Sequence, residues 1–249
     1  MKKIHCSCWL ILFLLTALWS SAQTPKIDSL KKELIRNSVS DRYDVLWGLA
    51  YELFDVDNLQ ATGYAKEAHQ AALASGDTLD IVMSGRILGQ LFRRVDKVDE
   101  SIDVLNFVLP ISKGWKLNGE IKKILTALAV SYAFKGEFDK ALEANLECLI
   151  IRQVENNNKE VSISFNNLGV LFSSLEDYSL SLNYYLKSLD LKMELADEDK
   201  VDMDLLLVNI ALDYMEINDY ANADLYFDKA VKYCSPLCRP TIVIRWNLA

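Results

Sequence analysis

The chain repeats itself at intervals of about forty residues. A small residue recurs with spacings of 41, 40, 40, 42 and 38, each time directly after a large apolar residue. These small residues are Gly48, Gly89, Ala129, Gly169, Ala211 and Ala249. Three residues later the five complete copies carry an aromatic ring, at Tyr51, Phe92, Tyr132, Phe172 and Tyr214. Repetition on this scale is typical of chains that fold as stacked supersecondary units.

A second series of small residues predicts a second helix in each repeat. It follows the first series by about twelve residues, at Ala61, Ser101, Ala141, Ser181 and Ala223. Seven residues further on stand Ala68, Val108, Cys148, Ser188 and Ala230, a spacing that suits an α-helix. Glycine inside a helix costs about 1 kcal/mol relative to alanine. We interpret Gly169 as a site where close contact between two helices offsets that cost.

The best copies, "LGVLF" in the fourth and "LAVSYAFKGEFDKAL" in the third, resemble tetratricopeptide repeats. The resemblance covers Asp41 to Ala249 and implies an all-α, right-handed α-solenoid of helix pairs. Residues 41–249 would form five full units and the start of a sixth, and residues 23–40, with "KIDSLKKELIR", an N-terminal capping helix. Because the period is 40–42 residues rather than about 34, we expect helices longer by about a turn in total.

Residues 1–22 have the pattern of a signal peptide. Lys2 and Lys3 precede an apolar run of 11 residues, Trp9–Trp19, and small residues follow up to Ala22. The run is shorter than the roughly 20 residues that span a bilayer as a helix. We expect cleavage before Gln23 and export, with an uncleaved N-terminal anchor as the alternative. Behind such a signal, the array resembles the periplasmic portions of bacterial envelope sensors.

Charge and histidine content exclude several function classes. The formal net charge is −8, which disfavours binding to nucleic acid or to an anionic membrane. After residue 22 the only histidine is His69, which we expect to be a surface or partly packed residue. Catalytic relays and metal clusters usually need more such groups. The sequence therefore predicts no enzyme, no metal and no cofactor.

A ligand-binding groove is the remaining candidate site. In arrays of this family the first helix of each pair lines the concave face, at positions three before and one, four and five after the small residue. The predicted groove residues are Arg86, Gln90, Arg93, Arg94, Thr126, Val130, Phe134, Asn166, Val170, Val208, Leu212 and Met215. The arginines suit a ligand carboxylate. The alternative is that Arg93 and Arg94 sit solvated at a helix C-terminus and complement its dipole.

These features predict an exported, non-catalytic scaffold that binds a peptide or protein segment. The alternative is the sensory region of a membrane signalling receptor with a histidine kinase or helix-turn-helix output domain. Because "RWNLA" stops inside a repeat, we expect either a longer receptor or a covered end, for example through self-association.

The cysteines allow two interpretations. Cys234 and Cys238 in "CSPLC" either pair in an oxidising compartment or stay separate packed thiols. Cys148 falls at a small packing position, where we expect it to be buried and reduced.

Overall fold

The structure is a computed structural model that describes residues 25–36, 42–196, 200 and 202–233. Within these ranges it contains eleven α-helices and no strand. The helices are α1 (25–36), α2 (Arg42–Leu53), α3 (Asn58–Ser75), α4 (Thr78–Arg94), α5 (Val98–Gly114), α6 (Asn118–Lys135), α7 (Phe138–Val154), α8 (Asn158–Ser174), α9 (Tyr178–Met193), α10 (Met203–Glu216) and α11 (Tyr220–Tyr233). The predicted all-α fold of helix pairs is confirmed.

The chain divides into two compact units, one up to Glu120 and one from Ile121. In the first unit α2 packs on α3, α3 on α4, and α4 on α5. Helix α1 joins the same core through Ile27 and Leu30, and its Lys26 pairs with Glu52 of α2 at 2.6 Å. In the second unit the packed neighbours are α7 and α8, α8 and α9, α9 and α10, and α10 and α11. Consecutive helices therefore bury one another's apolar faces within each unit.

Helix and turn lengths explain the forty-residue period. Helices α4 and α5 have 17 residues each, and three-residue turns follow them. Successive turns hold one residue in the left-handed region, with φ of 76° at Gly76 and 80° at Gly136. Non-glycine residues fill this role at Asp96, Lys116, Asn156, Glu176 and Asn218. A left-handed residue reverses the chain after a helix and lets the next amides bond to its last carbonyls, as Asp177 N does to Phe172 O at 3.0 Å.

The recurring glycines mark close contacts between paired helices. A Cβ added at Gly169 of α8 would lie 2.5 Å from Cε1 of Tyr185 on α9. A Cβ at Gly89 of α4 would lie 2.6 Å from Cγ of Leu105 on α5. Both distances are far below ordinary carbon contacts. The interpretation that close approach offsets the helical cost of glycine is confirmed.

An ionic cluster centred on the buried residues Lys122 and Arg152 joins three helices of the second unit. Nζ of Lys122 (α6) lies 2.5 Å from Oε2 of Glu155 and 2.6 Å from Oε2 of Glu160 (α8). Arg152 of α7 donates from NH1 to Ser164 Oγ at 2.7 Å. Burial alone would lower the pKa of Lys122, but hydrogen bonds to the two carboxylates raise it.

His69 is buried, which corrects the expectation of a surface or partly packed residue. It lies on α3 against α4, where Gly85 leaves room for the imidazole: a Cβ at Gly85 would come within 3.1 Å of His69 Cε1. Nδ1 of His69 is 2.9 Å from Ser84 Oγ, and that hydroxyl donates to Asp80 O at 2.5 Å. Burial lowers the pKa of His69.

Cys148 is a free, buried cysteine on α7, as its position in the repeat predicted.

Within the described ranges, no helix combines the length and apolar character that crossing a bilayer requires.

Candidate functional site

A cleft of about 380 Å³ opens in the second unit among α6, α7 and α8. Its walls are Ala129, Val130, Ala133 and Phe134 from α6, Phe138 and Asn145 from α7, and Asn167, Val170, Leu171 and Ser174 from α8. No side chain in this lining is charged. Three predicted groove residues, Val130, Phe134 and Val170, come together here, and Phe134 is 66% exposed.

Asn145 explains why the cleft exists. It stands four residues after the small residue of the second helix, a position filled by Leu105, Tyr185 and Phe227 in the second, fourth and fifth repeats and by Ala65 in the first. Those side chains are buried, and Leu105 and Tyr185 fill the space beside Gly89 and Gly169. In the third repeat a polar side chain of smaller volume lines the cleft instead, together with Ala129.

The side chain of Asn145 lines the cleft, and its amide atoms are not fully buried. The residue is only 6% exposed, and its side chain makes no hydrogen bond to any residue that the structure describes. Asn167 lines the same cleft without a side-chain hydrogen bond to the described part of the chain. A carboxamide carries both donor and acceptor groups and loses free energy when these are buried without partners. A bound ligand can supply the partners.

A second, polar cleft of about 400 Å³ lies in the first unit. It is lined by Tyr51, Glu52, Phe54, Asp55, Arg86, Ile87 and Gln90. Arg86 is buried and donates from Nε to Glu120 Oε2 at 2.6 Å. The guanidinium of Arg86 thus forms an internal ion pair with Glu120, whereas the sequence predicted that it would contact a ligand.

Arg93 and Arg94 lie in the last turn of α4, where the alternative interpretation put them. Arg94 NH1 contacts Asp55 Oδ1 at 2.7 Å and Phe54 O at 2.9 Å, and its guanidinium carbon lies 4.0 Å from the Phe54 ring centroid. Arg93 is half-buried, and burial together with the charge of Arg94 lowers its pKa. Arg94 is therefore partnered within the first unit.

The other predicted groove residues are dispersed through the second unit. Thr126 donates to Lys122 O at 2.9 Å within its own helix. Oδ1 of Asn166 is buried and accepts no hydrogen bond from the described residues. Val208 is buried in the core, contrary to the expectation of a groove position, and Leu212 and Met215 pack partly buried against that core. Helix α10 is apolar on nearly every side, so positional counting did not distinguish its ligand face from its packing face.

Several predictions concern residues that the structure does not describe. Cys234, Cys238, residues 1–22 and the start of the sixth unit lie outside the described residues, so these expectations stay predictions. Among the residues that are described, no group of three or more His, Cys, Asp or Glu side chains is arranged to hold a metal ion.

Comparison with known proteins identifies the repeats. Residues 120–194, which span α7, α8, α9 and nearly all of α6, match the tetratricopeptide repeat family. No curated protein sequence is significantly similar to the chain.

Solved structures of low identity share the fold. BtubC (BKLC) from P. vanneervenii has a TM-score of 0.69 at 19% identity, over 86% of this chain and 88% of that one. A Rap protein complexed with Competence and Sporulation Factor has a TM-score of 0.75 at 12% identity, over 89% of this chain and 62% of that one. NprR in complex with its cognate peptide NprX has a TM-score of 0.65 at 18% identity, over 93% of this chain and 68% of that one.

The helix pairs thus define an α-helical repeat protein. The match over residues 120–194 agrees with the resemblance that the sequence motifs predicted, and the low-identity structures show that the chain shares the fold of tetratricopeptide-like repeat proteins.

Proposed function

We propose that this protein is a non-catalytic scaffold that binds a peptide or protein segment in the cleft among α6, α7 and α8. The observation that carries the proposal is Asn145, a polar side chain that lines the cleft without a hydrogen-bond partner in the described chain, at a position where the second, fourth and fifth repeats place a large apolar or aromatic side chain. The bound peptides of NprR and Rap show that this fold accommodates such ligands in those proteins.

The lining defines the chemistry of the ligand. Phe134, Val130 and Val170 offer apolar surface to an uncharged side chain. Asn145 and Asn167 bind a neighbouring peptide group, because a carboxamide pairs with both the N–H and the C=O of a backbone. An extended segment with one apolar anchor fits both features.

The test replaces Asn145 with leucine, the residue that the second repeat carries at this position. Random 12-residue peptides displayed on phage are selected on the wild type, with counter-selection on Asn145→Leu, and the enriched peptides are titrated calorimetrically. Leucine occupies the equivalent position at Leu105, so Asn145→Leu should fold at least as stably as the wild type. It should bind the selected peptides at least tenfold more weakly, since one amide is lost and the bulkier leucine narrows the cleft.

Asn183→Leu is the matched control, since Asn183 is an exposed asparagine of α9. It should bind the selected peptides as the wild type does. Equal affinity of Asn145→Leu and the wild type, or no enrichment above background, would refute the proposal.

The sensory region of a signalling receptor is the second candidate function. It is favoured by the likeness to the apo form of NprR, which is described as a quorum sensor. This protein covers 62% of the NprR chain in that structure. The test is to sequence the coding DNA beyond codon 249. A membrane helix and an output domain there would support this candidate, and a stop codon would oppose it.

We also propose export, on the basis of the N-terminal pattern of Lys2, Lys3 and the apolar run Trp9–Trp19. N-terminal sequencing of protein from the periplasmic fraction should begin at Gln23. Retention of residues 1–22 on membrane-associated protein would favour the uncleaved anchor instead.

A further inference from the structure

Helix α7 carries an exposed apolar row on its outer side. Leu142, Leu146, Ile150 and Val154 are spaced by four residues, and we call this row the α7 ridge. Exposure rises along the ridge, from partly buried Leu142 to 59% at Ile150 and 77% at Val154. The last turns of the ridge therefore contribute little to the core of the second unit.

An acidic row runs beside the ridge. Asp139, Glu143 and Glu147 are also spaced by four residues, and with three residues of the ridge they line an open groove of about 480 Å³. Neither Asp139 nor Glu143 forms an ion pair with a residue that the structure describes. The groove thus combines apolar surface with negative charge along one side.

The repeats themselves provide a comparison. The positions equivalent to Ile150 in α5, α9 and α11 are Pro110, Asp190 and Lys232. Those equivalent to Val154 in α5 and α9 are Gly114 and Glu194. The fold thus accommodates polar or small residues at both positions, so packing does not account for the exposed apolar side chains of α7.

The acidic row is not repeated along α9, although α5 carries Asp99 and Asp103 at the equivalents of Asp139 and Glu143. Its equivalents in α9 are Ser179, Asn183 and Lys187. Among α5, α7 and α9, only α7 combines the full acidic row with exposed aliphatic residues at both the Ile150 and the Val154 positions.

We propose that this face docks an amphipathic α-helix of a partner protein, with lysine or arginine residues flanking the helix's apolar side. A row spaced by four residues is one of the ridges that interlock when two helices pack. From Leu142 to Val154 the ridge is about 18 Å long, which corresponds to about three turns of a partner helix. The acidic row selects a basic partner by charge complementarity.

The same charge argument decides against a second copy of this chain as the occupant. The protein has a formal net charge of −8, so a second copy would bring further negative charge toward Asp139 and Glu143. This surface lies on a different side of α7 from Asn145, so the proposal is independent of ligand binding in the cleft.

The experiment uses a designed probe with the proposed chemistry. It is a labelled, stapled 18-residue helix of Leu, Lys and Ala, with leucines on one face and lysines on both sides of them. Its counterpart carries glutamate in place of every lysine. Fluorescence anisotropy should show binding of the basic helix and not of the acidic one, with an affinity that falls as salt rises.

Two pairs of variants test the two parts of the surface. Ile150→Asp with Val154→Asp should weaken binding at least tenfold by removing the apolar contact. Asp139→Asn with Glu143→Gln should weaken it severalfold and flatten the salt dependence. The matched control, Ser179→Lys with Asn183→Lys, changes the net charge of the protein by the same amount on α9 and should bind like the wild type.

Three outcomes would overturn the proposal. One is equal binding of the basic and acidic helices. The second is unchanged affinity of the Ile150→Asp, Val154→Asp variant, provided that its helical circular dichroism matches the wild type. The third is a wild-type dimer in analytical ultracentrifugation that this variant abolishes, which would make a second copy the occupant.

Discussion

Ser173 on α8 donates a hydrogen bond to Oδ1 of Asp213 on α10, at an Oγ to Oδ1 distance of 2.7 Å. Asp213 is 2% exposed, and its Oδ2 has no hydrogen-bond partner among the described residues. Burial raises the pKa of this carboxyl, and the charge of nearby Glu216 acts in the same direction. The second unit therefore contains a carboxylate whose ionised form the fold disfavours.

We predict that Asp213→Asn stabilises the protein at neutral pH. Because the folded-state pKa lies above the usual 3.8, the folded state binds more protons between these two values, and stability falls as pH rises through that window. Asparagine avoids this loss. In urea titrations the Asp213→Asn variant should have a free energy of unfolding about 1–2 kcal/mol higher than the wild type at pH 7.5. Near pH 3.8 the two proteins should be equally stable. Asp228→Asn, at an exposed position of α11, is the control and should be neutral. A destabilised Asp213→Asn at pH 7.5 would contradict the prediction.

His69 should make stability depend on pH in the opposite sense. Burial lowers its pKa below the usual 6.5, so the unfolded state binds more protons below that pH and stability is lost as pH falls. The free energy of unfolding, measured by urea titration between pH 7.5 and 5.5, should therefore decrease for the wild type. His69→Gln, which cannot be protonated, should show a flatter profile. Identical profiles for the two proteins would disprove the role of His69.

Gly169→Ala should destabilise the second unit, because the new methyl group meets the Tyr185 ring. The expected loss is about 1–3 kcal/mol, typical of overpacking. Gly63→Ala on α3 is the control, since no atom lies within 4 Å of its added Cβ. It should gain about 0.5–1 kcal/mol from helix propensity. If both variants gain stability in chemical unfolding, the contact with Tyr185 is not tight.

Lys122→Met should cost about 1–3 kcal/mol, because Glu155 and Glu160 are left facing each other without their shared cation. Adding Glu160→Gln should recover part of the loss, which a double-mutant cycle in urea would measure. Lys140→Met, which breaks an exposed pair with Glu137, should change stability by less than about 0.5 kcal/mol. Equal effects of the two lysine variants would contradict the importance of burial here.

The cysteines are tested by alkylating the native, unreduced protein and measuring its mass. Cys148 should stay unlabelled until unfolding, because it is buried and burial raises the pKa of its thiol. If Cys234 and Cys238 are bridged, the chain that begins at Gln23 takes up no label. Two labels would refute the bridge and leave the separate thiols. Labelling of Cys148 without denaturant would contradict its burial.

The helix pairs could be predicted from the sequence because packing constrains them periodically. Gly169 and Tyr185 show this well, since the smallest and largest residues of two helices stand opposite each other. A small residue that recurs every forty positions therefore restricts the chain to stacked helix pairs.

The candidate site was only partly predictable. Val130, Phe134 and Val170 follow from counting along the first helices, but Asn145 belongs to a second helix and was missed. Its signal was present in the sequence, as a polar residue where other repeats carry Leu105 or Tyr185. The pairing of Arg86 with Glu120, 34 residues away, depends on side-chain placement that no local pattern encodes.

The position held by Asn145 also bears on how this protein can diversify. Leucine, asparagine, tyrosine and phenylalanine occupy it in successive repeats, on helices that keep the same length within a few residues. A single exchange at this position therefore changes the volume and polarity of the interior of a repeat. Recruiting a new ligand in a neighbouring repeat would take one such exchange, and its cost, about 2–5 kcal/mol for a large side chain, would be shared by the neighbouring repeats packed against it.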